Sequence, residues 1–194
     1  MPMPFDAMND TPDEALLVLY ANGDQAAAKA LMMRMTPRVL GYAARMLNDR
    51  TEAEDVAQEA MLRLWKIAPD WRQGEAKVTT WLYRVVTNLC TDRLRKRRDV
   101  ALDAVAEPDD GRASVAQGMI EAQRAAALTA ALATLPERQR QAVVLRHLEG
   151  ATNPEIAQVL EISVEAVESL TARGKRALAS ALADQRQELG YSDD

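Results

Sequence analysis

The sequence predicts an all-α protein: two small helical domains joined by a flexible acidic linker, the second containing a helix-turn-helix. Three observations predict this. Helix-capping signals recur along the chain, no stretch alternates apolar and polar residues as a strand would, and only 4% of the 194 residues are aromatic while Ala and Leu abound. A chain of this length holds one large domain or two small ones.

Each element has its own signal. Thr11-Pro12-Asp13-Glu14 reads as a capping box with proline at the first helical position, and Gly23 ends that helix. Asp24 caps a helix containing Ala26 to Met35; Thr36-Pro37 interrupts or restarts it before a run to about Leu47. Thr51-Glu52-Ala53-Glu54 reads as a second capping box, opening a helix to about Ile67. Pro69 to Lys77 reads as a loop, and a long helix follows from about Thr79 to Arg98. The first domain is therefore expected over 11–98. Residues 99–118 gather Asp, Pro, Gly and Ala around Pro108-Asp109-Asp110-Gly111 and read as the linker. Fully extended it spans roughly 66–72 Å, about two turns of DNA. The second domain is expected over 119–186.

Composition excludes several function classes. The single Cys90 allows no internal disulfide or cysteine metal cluster, and the single His147 leaves no histidine pair. No nucleophile–base arrangement is legible, so an enzyme is not expected. No signal peptide and no membrane-spanning apolar run are seen, and a cytoplasmic setting is expected.

The net charge of −5 conceals an asymmetry: residues 61–98 carry 10 basic and 3 acidic side chains, net +7. That local block points to nucleic acid where the global balance does not. On a helix, Thr80, Arg84, Thr87, Asn88, Thr91, Arg95 and Arg98 share one sector, opposite Leu82, Val85, Val86 and Leu89 with Cys90 beside them. Cations, hydroxyls and an amide bind phosphates and base edges. The bland alternative is a solvated charged face. Trp71, Trp81 and Tyr83 flank the helix start, where rings either stack on bases or pack in the core.

Near the C-terminus, Thr152-Asn153-Pro154-Glu155 opens a short helix, Glu161-Ile162-Ser163 turns, and Ser163 caps a longer helix with Ile162 and Val167 as a hydrophobic staple. Val164, Val167, Leu170, Ala177 and Leu178 form its expected buried side. Glu165, Glu168, Ser169, Ala172, Arg173 and Arg176 face outward, with Lys175 adding to the positive end. This is the helix-turn-helix pattern, whose second helix enters the major groove.

Together these blocks resemble a bacterial extracytoplasmic-function (ECF) sigma factor. Glu52-Ala53-Glu54-Asp55-Val56-Ala57-Gln58-Glu59 is similar to that family's polymerase-binding helix. Thr80 to Leu89 and Asp92-Arg93-Leu94-Arg95 resemble its promoter-melting and −10-reading segment. Leu135-Pro136-Glu137-Arg138-Gln139-Arg140 and Leu145 to Gly150 lead into its −35-reading helix-turn-helix. The resemblance implies binding of core RNA polymerase through Asp55, Gln58, Glu59 and Leu62. It implies −10 DNA contacts by Trp71, Lys77, Trp81, Arg84, Asn88, Arg95 and Arg98. It further implies −35 contacts by Glu165, Ser169, Arg173, Lys175 and Arg176, restraint by an anti-sigma factor, and no cofactor or metal, since the polymerase performs the chemistry. Family turns often carry glycine where Glu161 stands, and many members carry a basic residue near Glu168, so the −35 preference stays open.

Two other classes compete. A stand-alone helix-turn-helix regulator explains residues 152–178 but leaves the acidic helix and the aromatic-basic block unused. A sigma-like interaction module that only binds an anti-sigma protein has no need of Arg84, Arg95, Lys96, Arg97 and Arg98.

Overall fold

A computed structural model of the chain describes residues 8, 10–72, 74, 76–103 and 119–188, all helix or connection, with no strand among them. Eight α-helices follow in order: α1 (Asp13–Ala21), α2 (Gln25–Leu47), α3 (Arg50–Ile67), α4 (Val78–Asp103), α5 (Met119–Ala133), α6 (Glu137–His147), α7 (Asn153–Leu160) and α8 (Val164–Glu188). A 3₁₀ turn, Ala68–Asp70, follows α3.

Helices α1, α3 and α4 pack around α2, whose buried face runs from Ala27 and Leu31 through Met35 and Val39 to Tyr42 and Met46. Helices α5, α6 and α7 pack on α8. The two halves are not separate: α7 lies along α4, and α5 and α6 touch α2. One contiguous buried cluster therefore runs from Leu16 to Val167. Leu16, Leu17, Leu31, Tyr42, Leu64 and Leu82 lose essentially all solvent contact, each contributing about 1.5–3 kcal/mol of apolar burial.

Several helix starts differ from the expectation. Helix α1 starts after Pro12, with no side-chain cap, so the box at Thr11 does not form. Glu14 instead accepts the Val78 backbone N–H at 3.0 Å, covering an orphan donor at the start of α4. The cap of α3 is Asp49, whose carboxylate accepts the Glu52 N–H at 2.9 Å, so Thr51 lies within the helix. Here an aspartate two residues earlier outcompetes the threonine. Pro37 does not interrupt α2. It costs one backbone hydrogen bond, that of the Met33 carbonyl, on an exposed stretch, while buried residues on both sides hold the helix together. Asp24 caps α2 as expected, accepting from Ala26 and Ala27. Helix α4 begins at Val78 and continues to Asp103, beyond Arg98. Residues 104–118, most of the expected linker, lie outside the described residues.

Candidate polymerase and nucleic-acid interfaces

On the outer side of α2 and α3 an open groove of about 520 Å³ is lined by Met32, Thr36, Leu40, Asp55, Gln58, Met61, Leu62 and Trp65, among others. Its apolar rim is exposed: Met32 48% and Leu62 49%. Glu59 pairs with Arg63 at 2.8 Å one helical turn on, leaving Asp55 and Gln58 exposed beside the apolar stripe. The sequence marked the acidic half of this surface. Met32 and Trp65 were missed, because only the α2–α3 packing brings Met32 and the ring of Trp65 to one groove with Leu62.

The basic helix is divided among three roles. Arg97 is structural: its guanidinium reaches the Leu47 carbonyl at 2.9 Å, Asp49 at 3.1 Å and Glu52 at 2.9 Å, tying the end of α4 to the α2–α3 connection. Asn88, Arg95 and Lys96 are exposed, Arg95 within 3.0 Å of Asp92. Of the rest of the expected outward face, Thr80, Arg84, Thr91 and Arg98 meet the second half of the chain, and Thr87 meets α2. Thr80 and Thr87 are buried, and the Thr87 hydroxyl hydrogen-bonds with Tyr42 OH at 2.8 Å. A helical wheel cannot separate solvent from a packed neighbour, and this is why both were expected outside.

Four glutamates from the second half line that seam. Glu137 accepts from the Thr91 hydroxyl at 2.7 Å and from Arg98 at 3.2 Å. Glu149 accepts from Tyr83 OH at 2.6 Å and Arg45 at 3.1 Å, and its carbonyl is 3.5 Å from Arg38. Glu155 pairs with Lys77 at 2.7 Å, and Glu161 pairs with Arg84. The side chain of Glu149 is only 7% exposed. Burial and the adjoining Glu149 carboxylate both push the Tyr83 phenol far above its usual pKa, so it stays a donor. The Lys77 ammonium, then the Thr152 backbone N–H, hold the Glu155 carboxyl down at about 2.

Trp71 and Trp81 meet edge to face with ring centroids 6.3 Å apart, both half-buried against the core. The Trp71 indole N–H is buried with no partner among the described residues. Lys77 closes the same loop, at the edge of a cleft shared with Glu14, Thr80, Glu155 and Gln158.

The helix-turn-helix forms from α7 and α8. Thr152 and Glu155 make a reciprocal capping box, and Ser163 Oγ accepts the Ala166 N–H at 3.2 Å. Glu161 closes α7 in the left-handed conformation, φ 55°, the geometry for which glycine is favoured. Its carboxylate reaches Arg84, a contact glycine could not make. Val167 is buried and Leu170 and Leu178 half-buried, but Ala177 is exposed. The closest approach is at Gly174, where an added Cβ would lie 2.6 Å from Val143 Cγ2 and 3.1 Å from the Gln139 carbonyl. Glu165, Ser169, Arg173, Lys175 and Arg176 are all exposed. Arg173 donates to Ser169 Oγ at 2.6 Å, which orients its guanidinium. The Glu165 carboxyl is held low by its own backbone N–H and then by Ser163, so it is ionised and can only accept.

Among the described residues, no cluster of side chains could hold a metal ion, and no helix is long and apolar enough to cross a membrane.

Comparison with known proteins identifies the family. The pattern for Sigma-70 region 2 matches residues 31–100, and that for Sigma-70, region 4 matches residues 125–178. The chain is 32% identical over 173 residues to the ECF RNA polymerase sigma factor SigW of Bacillus subtilis, covering 84% of this chain and 92% of that one. It is 30% identical over 181 residues to the RNA polymerase sigma-H factor of Pseudomonas aeruginosa, covering 88% and 93%. Of solved structures, CnrH in complex with the cytosolic domain of CnrY is similar with a TM-score of 0.66 at 28% identity, covering 89% and 97%. The sigma factor RpoE, solved with the anti-sigma factor NepR from Bartonella quintana, shares the fold with a TM-score of 0.64 at 20% identity, covering 80% and 96%. The chain belongs to the sigma-70 family, in the extracytoplasmic-function class of RNA polymerase sigma factors.

Proposed function

We propose that the chain works as a promoter-specificity subunit whose three exposed surfaces divide the task. The acidic-apolar stripe of α3, with Asp55, Gln58, Glu59 and Leu62, docks on core RNA polymerase, joined by Met32 of α2. The first helical unit, 11–98, reads and opens the −10 element. Arg84, Asn88, Arg95, Arg98 and Lys77 supply cations and hydrogen bonds, and Trp71 and Trp81 supply ring surface for an unstacked base. The second unit, 119–186, reads the −35 element through Glu165, Ser169, Arg173, Lys175 and Arg176 on α8. The segment 99–118 links them.

The observation that carries this reading is the presence of both sigma-70 regions in one chain, with the α3 stripe and the outward face of α8 exposed together. The polymerase performs the chemistry, so the chain is not itself an enzyme and works in the cytoplasm. The solved relatives in complex with CnrY and with the anti-sigma factor NepR favour a protein inhibitor here too, restraining a stress-type regulon.

The docking assignment is tested by a double charge reversal, Asp55→Lys with Glu59→Lys. Affinity for core polymerase falls at least tenfold, about 1.4 kcal/mol, while helicity is unchanged. Unaltered affinity in a folded variant contradicts it.

A further inference from the structure

We propose that Glu168 of α8 is a base-selecting residue, which admits cytosine at one position of the −35 element and rejects guanine and thymine there. The proposal rests on the reading of α8 as the helix that meets the −35 element, and it adds a residue that its surroundings single out.

Two carboxylates stand on the outward face of α8, and they are not equivalent. Glu165 is engaged at the helix start: its carboxylate accepts from its own backbone N–H and from Ser163, whose Oγ also accepts the Ala166 N–H at 3.2 Å. Glu168 is exposed and has no hydrogen bond or ion pair among the described residues. The positions one turn away, Val164, Glu165, Thr171 and Ala172, hold no cation. Like charges three residues apart mildly destabilise a helix, so local stability does not account for Glu168. Its neighbour Ser169 is taken by Arg173, which donates to the Ser169 Oγ at 2.6 Å and to its carbonyl at 3.4 Å. Glu168 keeps both oxygens for an incoming donor.

In a major groove an unpartnered carboxylate is repelled by the phosphates, and a donor on a base edge must offset that. Cytosine offers its N4 amine there. Guanine presents the N7 and O6 acceptors, and thymine the O4 acceptor and a methyl group. A carboxylate only accepts, so against either of these its oxygens meet another acceptor. Adenine has an N6 amine, but its N7 acceptor lies beside it, which makes cytosine the better partner. Glu168 therefore selects by exclusion as much as by attraction. Arg173 lies five residues further on, roughly 7.5 Å along the helix axis and about two base-pair steps. Arginine is best matched by guanine. The selected cytosine is thus expected within about two base pairs of a guanine read by Arg173.

The test uses core RNA polymerase reconstituted with the full chain or a variant, and a duplex DNA library randomised across a promoter-length stretch. Sequencing the retained duplexes gives the base preference at each position, and Arg173→Ala locates the guanine. With the wild-type chain, a position within about two base pairs of that guanine favours cytosine over guanine or thymine on the order of tenfold. Glu168→Gln moves this preference to adenine and Glu168→Arg moves it to guanine, with the other positions unchanged. Circular dichroism shows unaltered helicity in both variants, because the site is exposed. Identical preferences in the wild type and both variants overturn the proposal. A uniform gain in affinity for all sequences with Glu168→Arg also overturns it, since that marks relief of phosphate repulsion alone. An upstream motif that depends on Arg173 but not on Glu168 defeats this proposal only. A wild-type selection with a downstream motif and no upstream one defeats the −35 reading of α8, and the proposal with it.

Discussion

The phenol of Tyr83 on α4 donates to the Glu149 carboxylate at 2.6 Å, joining the two halves of the chain through a nearly buried acid. Arg45 of α2 meets the other oxygen of the same group. A hydrogen bond to a charged, desolvated acceptor is worth more than a neutral one. Tyr83→Phe removes it while keeping the ring, which packs edge to face on Tyr42 at 5.5 Å. Urea unfolding of this variant should show a loss of about 2 kcal/mol, with the far-ultraviolet spectrum unchanged.

Gly174→Ala tests the packing beneath the recognition helix. Alanine is the better helix former by about 1 kcal/mol, so a solvent-facing glycine here would be stabilised by the change. The new Cβ instead falls 2.6 Å from Val143 Cγ2 and close to the Gln139 backbone. A β-branched neighbour has little rotamer freedom, so overpacking dominates and a net loss of about 1–2 kcal/mol is expected. The pair Gly174→Ala/Val143→Ala should recover part of it in the same melt.

Much of the fold was legible because helix ends carry chemical signals. Asp24 and Ser163 cap where their residue types said they would. The start of α3 was misjudged because Asp49 and Thr51 are both competent caps, and sequence alone cannot weigh them. The outward face of α8 was legible because none of the described residues covers it. The face of α4 was legible only in part: whether Thr80 and Thr87 meet water or a neighbour depends on α7 for the first and on Tyr42 of α2 for the second, both far away along the chain. Glu137, Glu149 and Glu155 stand where capping and connecting residues are ordinary, so no local signal announced their partners.

Glu155 gives the seam a defined acid response. Its carboxyl is held at about 2, below its ordinary 4.5, chiefly by Lys77. A depressed acid contributes stability that is fully present above its unfolded pKa and is lost as pH falls through its folded one. The stability difference between wild type and Glu155→Gln should therefore be constant above about pH 5 and shrink as pH falls from 4.5 towards 2. Thermal melts of both proteins across that range check it; a difference that grows with acidity contradicts the pairing.

Cys90 lies on the buried face of α4, and burial pushes its thiol up to about 12. The thiolate is the reactive form. A thiol reagent at neutral pH should therefore label the native chain far more slowly than the chain unfolded in urea. Equal rates in the two states would mean that α4 does not pack as described.

The central claim is that this chain directs a polymerase to its promoters. The direct measurement mixes the purified chain with bacterial core RNA polymerase and a pool of genomic fragments, then maps transcript starts. The account predicts starts that require the chain and share two upstream motifs, one near −10 and one near −35. An active core and a folded chain that together yield no new starts would contradict it.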